Sequence, residues 1–210
     1  MIRLLIVDDH AMFRQGLKQI LAKQSDMQVV DEVGNGSDAL MKIKDEEYNV
    51  VILDISMPGK SGWEILADIK NVNPNLPVLV LSMYPEDQYA VRMLKAGASG
   101  YVTKESAADE LITAIRKVAS GGRYVSATLG ERLAYILDTH SDKLPHQLLS
   151  NREFQVMCLL ASGKTLKEIA DKLCLSEKTI TTYRARILEK MQIRNNVELT
   201  HYVIQHKLLG

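Results

Sequence analysis

Residues 1–120 alternate short β-branched apolar runs with longer amphipathic segments, the pattern of βα units around a parallel sheet. Five strands are predicted: Arg3 to Val7, Gln28 to Val33, Val50 to Leu53, Val78 to Leu81 and Gly100 to Thr103. Each is apolar almost throughout, as strands covered on both faces are. Between them, Met12 to Ala22, Ser37 to Lys44, Gly62 to Val72, Glu86 to Ala96 and Ala107 to Ser120 carry apolar residues at three-to-four spacing and predict helices, and Ser61 with Glu64 forms a capping box. The expected product is an α/β domain with a five-stranded doubly wound parallel sheet and a ligand crevice at the carboxyl ends of its strands.

From Arg123 the strand pattern stops. Leu129, Leu133, Ile136 and Leu137 form a short amphipathic stripe, and the polar stretch Thr139 to Gln147 contains Pro145, so residues 122–147 read as a linker, part helix and part coil. Residues 148–210 show no strand pattern. They hold capping boxes at Ser150 to Glu153 and Thr165 to Glu168 and an N-cap at Ser176, which predicts a small all-α domain with helices near Asn151 to Ala161, Leu166 to Leu173, Glu177 to Met191 and Asn196 to His206. The domain plan is therefore 1–121, a linker over 122–147, and 148–210.

Composition adds exclusions. With 46% apolar residues, a 210-residue chain can build two cores. The apolar runs are far shorter than a membrane span. Met1 to Val7 resembles the apolar part of a secretion signal only until Asp8 and Asp9 end it, so the expectation is a cytoplasmic protein with no membrane association. The two cysteines, Cys158 and Cys174, have no partner at metal spacing and read as buried free thiols. A net charge of zero hides an asymmetry. Residues 1–125 carry 14 Lys+Arg against 17 Asp+Glu, or −3, whereas residues 147–210 carry 10 against 6, or +4. Only the second half suits a polyanion.

The candidate chemistry lies at strand ends. The first strand runs into Asp8 and Asp9 and the third into Asp54, so a parallel sheet brings three carboxylates to one crevice. Crowded carboxylates repel, and a hard divalent cation, best Mg²⁺, relieves them. The fourth strand brings Ser82 and the fifth Lys104, a hydroxyl and a point cation suited to phosphoryl oxygens. Singly, each has a bland explanation as a turn former or a solvated charge. Five such residues ending four strands instead make a set fit for phosphoryl transfer onto a carboxylate. His10 reads as a helix-start residue rather than a ligand.

At Leu5-Ile-Val-Asp-Asp-His10, Leu53-Asp-Ile-Ser-Met-Pro-Gly59 with Gly62, Leu81-Ser82 and Lys104, residues 1–120 resemble a response-regulator receiver domain, which has a flavodoxin-like fold. The resemblance implies that Asp54 is the phosphoacceptor and that Asp8, Asp9, Asp54 and the carbonyl of Ser56 hold Mg²⁺. It implies also that Lys104 pairs with the phosphoryl group, Ser82 follows its oxygen, and Tyr101 changes rotamer with it. The phosphoryl donor would be a sensor histidine kinase or a small phosphodonor.

On a helical wheel from Glu177 to Met191, Ile180, Ile187, Leu188 and Met191 share one side, opposite Lys178, Thr181, Thr182, Ala185, Arg186 and Glu189. A short helix and a tight Cys174-Leu-Ser176 connection precede it. That layout suits a DNA-reading helix-turn-helix, although periodicity fits an ordinary bundle helix equally. Residues 148–209 resemble the LuxR-type DNA-binding domain of the NarL/FixJ family at Leu149-Ser-Asn-Arg-Glu-Phe154, Lys167-Glu-Ile-Ala170, Leu175-Ser-Glu-Lys-Thr-Ile180 and Ile187-Leu-Glu-Lys-Met191. The likeness implies contacts to double-stranded DNA from Lys178, Thr179, Thr181, Thr182, Arg184 and Arg186. Two positions depart from the family pattern, Thr181 where many relatives carry lysine and Tyr183 where histidine is frequent. By the wheel, the Arg184 stem packs while its head reaches outward.

A domain charge of +4 gives weak monomeric binding, so a homodimer formed on phosphorylation and two-fold related half-sites are expected. In the last helix Val197, Leu199, Val203 and Ile204 can form the dimer interface or complete the core. The leading expectation is a non-enzymatic transcription regulator whose phosphorylation at Asp54 relieves inhibition of its reader. The alternatives are a Mg²⁺-dependent phosphatase working through an aspartyl phosphate, and a DNA-binding regulator whose receiver acts without phosphorylation.

Overall fold

The computed structural model describes residues 1–58, 60–131, 144–206, 208 and 209, which form two compact units spanning 1–135 and 136–210. The first unit runs β1 (Ile2–Val7), α1 (Ala11–Leu21), β2 (Met27–Val33), α2 (Gly36–Asp45), β3 (Val50–Leu53), α3 (Gly62–Val72), β4 (Val78–Ser82), α4 (Glu86–Lys95), β5 (Gly100–Thr103) and α5 (Ala108–Ala119). All strand pairs are parallel, in the order β2-β1-β3-β4-β5. The expected doubly wound sheet is thus present. Chain order reverses direction at β1, whose neighbours are β2 and β3, and this switch point leaves the crevice uncovered.

The strands alternate their contents between two covered faces. Leu4, Ile6, Val50, Ile52, Leu79, Leu81 and Val102 pack with Leu17 and Leu21 of α1 and Leu111, Ile112, Ile115 and Val118 of α5. Right-handed crossovers put α2, α3 and α4 on the opposite face, where Leu5, Val7, Val51 and Leu53 are fully buried. Each such side chain contributes about 1.5–3 kcal/mol by leaving water. This two-sided burial locks the register Val7↔Leu53, which sets the next residues, Asp8 and Asp54, side by side.

The segment read as linker begins differently. Tyr124 forms a bridge beside Gly100, and its main-chain N–H donates to Ser99. Its hydroxyl donates to Glu110 at 3.0 Å. Ser126 donates to Glu86 and caps the Leu129 N–H, residues 127–131 are helical, and Leu129 is buried. Residues 123–131 therefore belong to the first unit. Leu133, Ile136, Leu137 and most of the Thr139 to Gln147 stretch lie outside the described residues.

The second unit opens with a 3-10 turn, Pro145–Leu148, followed by α6 (Asn151–Ala161), α7 (Leu166–Leu173), α8 (Glu177–Met191) and α9 (Asn196–Gln205). Both expected capping boxes form, and Ser176 caps α8 through the Thr179 N–H. Cys174 ends α7 in the left-handed conformation at φ 52°. That geometry turns it outward, so only Cys158 of the two cysteines is buried. In α9, Leu199 and Val203 complete the core while Val197 and Ile204 are exposed.

Gly62 shows how tightly the crevice wall is built. A Cβ there would lie 2.3 Å from the main-chain Cα of Ile55, which cannot yield. Gly62→Ala is expected to destabilise the first unit by about 3 kcal/mol, measured as a shift in the urea midpoint with unchanged slope.

Candidate functional site

Asp8, Asp9 and Asp54 follow the carboxyl ends of β1 and β3, and oxygen atoms of the three, with a ring nitrogen of His10, lie within 4.8 Å of one another. Lys104, following β5, reaches back to place its ammonium 2.6 Å from Asp8 Oδ2 and 2.7 Å from Asp54 Oδ2. The Ser56 N–H donates to Asp54 Oδ1 at 2.8 Å, and the His10 N–H to Asp8 Oδ1 at 2.8 Å. Burial pushes the Asp54 carboxyl above its ordinary value. The Lys104 ammonium and the Ser56 N–H pull it down without cancelling that effect.

Three carboxylates against one ammonium leave two excess negative charges, the deficit a divalent cation fills. Ser56 Oγ is buried with no hydrogen-bond partner, and Asp9 Oδ1 is buried with no well-aligned donor, the His10 ring nitrogen being its neighbour. This oxygen set fits Mg²⁺, and Asp8, Asp9 and Asp54 are the side chains that would hold it. His10 is the N-cap residue of α1, as its position predicts, yet its ring also engages the pocket. Nδ1 lies 3.0 Å from Asp9 Oδ1 and 3.2 Å from Asp8 Oδ1, with the side chain 62% exposed.

Ser82 and Tyr101 lie at the far side of the crevice. Ser82 is fully buried, and its hydroxyl accepts the Tyr84 N–H at 3.0 Å. Tyr101 is also fully buried, and its hydroxyl donates to the Tyr84 carbonyl at 2.8 Å. Burial pushes the Tyr101 phenol well above its ordinary value. Tyr84 thus ties together the two residues expected to respond at Asp54.

Two neighbours of the pocket are absent from the sequence-derived set. The Phe13 ring lies 4.5 Å from the Lys104 ammonium, a cation–π contact, and Arg14 Nη1 donates to the Asp8 carbonyl at 2.6 Å. Both belong to the first turn of α1. Their only signal is placement directly after the Asp8-Asp9-His10 turn.

In the second unit, Lys178, Thr181, Thr182 and Arg186 are exposed on α8, and Ile180, Ile187 and Met191 face the core. A shallow hollow there is lined by Ser176, Lys178, Thr179, Thr182, Tyr183 and Arg186. The threonines are less free than their exposure suggests. Thr181 and Thr182 hydroxyls donate back to Glu177 and Lys178 carbonyls, and the Thr179 hydroxyl pairs with Ser176 at the cap. Arg184 is half-buried, and its Nε donates to Asn196 Oδ1 at 2.7 Å, which sets it apart from the exposed cations.

An acidic crevice at the switch point of a doubly wound sheet, with a helix-turn-helix further along the chain, is the layout of a bacterial transcription regulator. Residues 4–116 match the response regulator receiver domain, and residues 147–203 match the bacterial regulatory proteins, luxR family. The chain is 37% identical over 209 residues to the response regulator GacA of Pseudomonas protegens, covering 100% of this chain and 98% of that one. It is 35% identical over 209 residues to the response regulator UvrY of Escherichia coli K12, covering 99% and 96%. Among solved structures it resembles RcsB of Salmonella enterica serovar Typhimurium bound to promoter rprA in the presence of the phosphomimetic BeF3−. That likeness has a TM-score of 0.68 at 26% identity and covers 97% of this chain and 99% of that one. The chain belongs to the NarL/FixJ family of response regulators, the DNA-binding transcription regulators of two-component systems. No helix among the described residues is long and apolar enough to cross a membrane.

α8 is tied to α6 by an ion pair between Lys190 Nζ, whose side chain is 42% exposed, and the buried Glu153 Oε2 at 2.7 Å. Burial pushes the Glu153 carboxyl up, but hydrogen bonds from Lys190 and Ser150 outweigh it and hold the group below its ordinary value of 4.5. A depressed carboxyl stabilises the fold above the unfolded value and loses that contribution as pH falls through the folded one. Protection of residues 151–161 in hydrogen exchange is therefore expected to hold near neutrality and fall below pH 4.5. Glu153→Gln, which keeps the capping bond but loses the charge facing the half-exposed Lys190, should remove about 1 kcal/mol or less at neutral pH and flatten that acid dependence.

Proposed function

We propose that Asp54 accepts a phosphoryl group from a sensor histidine kinase and that this modification relieves inhibition of the reader and promotes dimeric DNA binding. The observation that carries the reading is the Asp54 carboxylate, 1% exposed, held between Lys104 and the Asp8-Asp9 pair. In the transfer, an Asp54 oxygen attacks the phosphorus of a phosphohistidine. A P–O bond forms as the P–N bond breaks, and the imidazole leaves with its electron pair and takes up a proton. Asp8, Asp9, Asp54 and the Ser56 carbonyl hold Mg²⁺, which neutralises phosphoryl oxygens when bound. Lys104 pairs with the phosphoryl group and Ser82 follows its oxygen. Transfer is self-catalysed by this pocket, and the protein turns over no external substrate.

The phosphoryl group brings about −1.5 to −2 charge and three strong acceptors. A reversal from 1:99 to 99:1 between two states requires about 5.5 kcal/mol, more than one charge-assisted hydrogen bond supplies. The cation, Lys104, Ser82 and a partner surface act together to reach it. RcsB bound to promoter DNA was solved in the presence of a phosphomimetic, which supports a link between the two events here. Asp54→Asn is expected to abolish phosphoprotein formation on a phosphate-affinity gel and the gain in DNA affinity that follows. Undiminished labelling at another residue sinks the assignment.

For DNA, Lys178 and Arg186 contact phosphates or base edges, and Thr179, Thr181, Thr182 and Arg184 line the same approach across two-fold related half-sites. Arg186→Ala is expected to weaken binding by about 1–3 kcal/mol if the guanidinium reads a base, changing sequence preference. If it contacts phosphate, the loss is uniform across sequences and the salt slope falls by about 1. Fluorescence anisotropy over a salt series separates the two, and unchanged affinity removes Arg186 from the interface.

A further inference from the structure

Arg14 stands in the first turn of α1, where a cation opposes the helix macrodipole, and no acidic residue shares that turn. A residue placed against its local preference points to a tertiary demand. Nη1 donates to the Asp8 carbonyl at 2.6 Å, and Nε faces Glu32 Oε2 of β2 at 3.9 Å. Nε and Oε2 are both buried without a hydrogen-bond partner, so their charges serve as each other's counterion. Glu32 Oε1 is held in turn by Lys18 Nζ at 3.3 Å and Gln15 Nε2 at 3.2 Å. Three residues of α1 thus fix Glu32, and Glu32 braces Arg14 from the neighbouring strand.

The brace ends on the main chain of Asp8, whose carboxylate is held separately by the His10 N–H and Lys104. Lys104 occupies carboxylate oxygens, whereas Arg14 orients the same turn through its carbonyl and leaves those oxygens to a cation. Its charge is offset by Glu32, so the pocket keeps its two excess negative charges. A planar fork can engage Asp8 and Glu32 at once, which a single ammonium cannot do in the same geometry.

We propose that Arg14, oriented by Glu32, is a positioning residue that presets the Asp8-Asp9 turn for divalent-cation binding. The proposal rests on the reading of the Asp54 pocket as a cation-assisted phosphoacceptor. The test is calorimetric titration of Mg²⁺ into the unphosphorylated full chain, with acetyl-phosphate labelling measured over a Mg²⁺ series. Arg14→Gln is expected to weaken Mg²⁺ about 10-fold or more, as loss of an outer brace of a metal site does. Arg14→Lys should fall between it and the wild type, Glu32→Gln should shift affinity in the same direction, and labelling should recover at saturating Mg²⁺. A folded Arg14→Gln chain with wild-type Mg²⁺ affinity overturns the proposal, as does a labelling defect that saturation leaves in place. If Arg14→Gln does not fold, Glu32→Gln decides by the same criterion. Wild-type Mg²⁺ binding that Asp9→Asn leaves intact would instead overturn the pocket's assignment, and this proposal with it.

Discussion

The structure of the first unit turns on a like-charge problem. The register Val7↔Leu53 makes neighbours of Asp8 and Asp54, and two-sided burial of both strands prevents them from slipping apart. Two like charges about 4 Å apart repel by about 4 kcal/mol near a protein surface. Lys104 offsets part of this from two strands away, across β4, a reach of about 10 Å at normal strand spacing. A long flexible stem with a compact charge suits that span, and the Phe13 ring lies against its head. The remaining charge imbalance keeps the pocket receptive to a cation, which, on the reading proposed above, would offset the charge of an incoming phosphoryl group.

The far wall of the pocket is organised for exchange rather than for static strength. Ser82 spends its hydroxyl on the Tyr84 N–H, and Tyr101 spends its own on the Tyr84 carbonyl. Accepting the Tyr84 N–H leaves the Ser82 hydroxyl proton to be donated elsewhere, and its hydrogen bond with the Tyr101 phenol is the contact that, on the reading proposed above, an acceptor at Asp54 would compete with, beside Tyr84, two residues before α4 begins. The first residue of α4, Glu86, accepts the hydroxyl of Ser126, which caps residues 127–131. Hydrogen bonds and two intervening peptide units thus connect Ser82 and Tyr101 with residues 126–131. Contiguity alone is not coupling, which requires two arrangements biased by the same event.

The residues legible in the sequence were those that end apolar strands. Asp8, Asp54, Ser82 and Lys104 stand where an uninterrupted buried run meets a polar group, and a parallel sheet brings such ends together whatever lies between. Phe13 and Arg14 carried no such mark, because on an amphipathic helix an aromatic residue and a cation are ordinary occupants. Residues 123–131 passed for linker because a single bridge at Tyr124 has no periodicity to detect. Cys174 sits in an apolar window but ends α7 in a left-handed conformation that exposes it, a backbone choice composition does not encode. The wheel placed Arg184 near the core without revealing that Asn196 takes its Nε.

The same hydrogen-bond accounting constrains the reader. With the Thr181 and Thr182 protons returned to the helix backbone and the Thr179 hydroxyl used at the cap, the threonines would, on the reading proposed above, offer DNA methyl groups and acceptor lone pairs. Such groups suit thymine methyls and the exocyclic amines of cytosine and adenine, but they neutralise no phosphate. On the exposed face of α8 that task falls to Lys178 and Arg186. A helix with so few free cations binds one half-site weakly, because affinity grows with the number of phosphates neutralised. Weakness of this kind serves control. A monomer that already bound tightly would leave the receiver little to add, whereas, on the reading proposed above, one below the threshold makes assembly on paired half-sites the step that a modest change at Asp54 would decide.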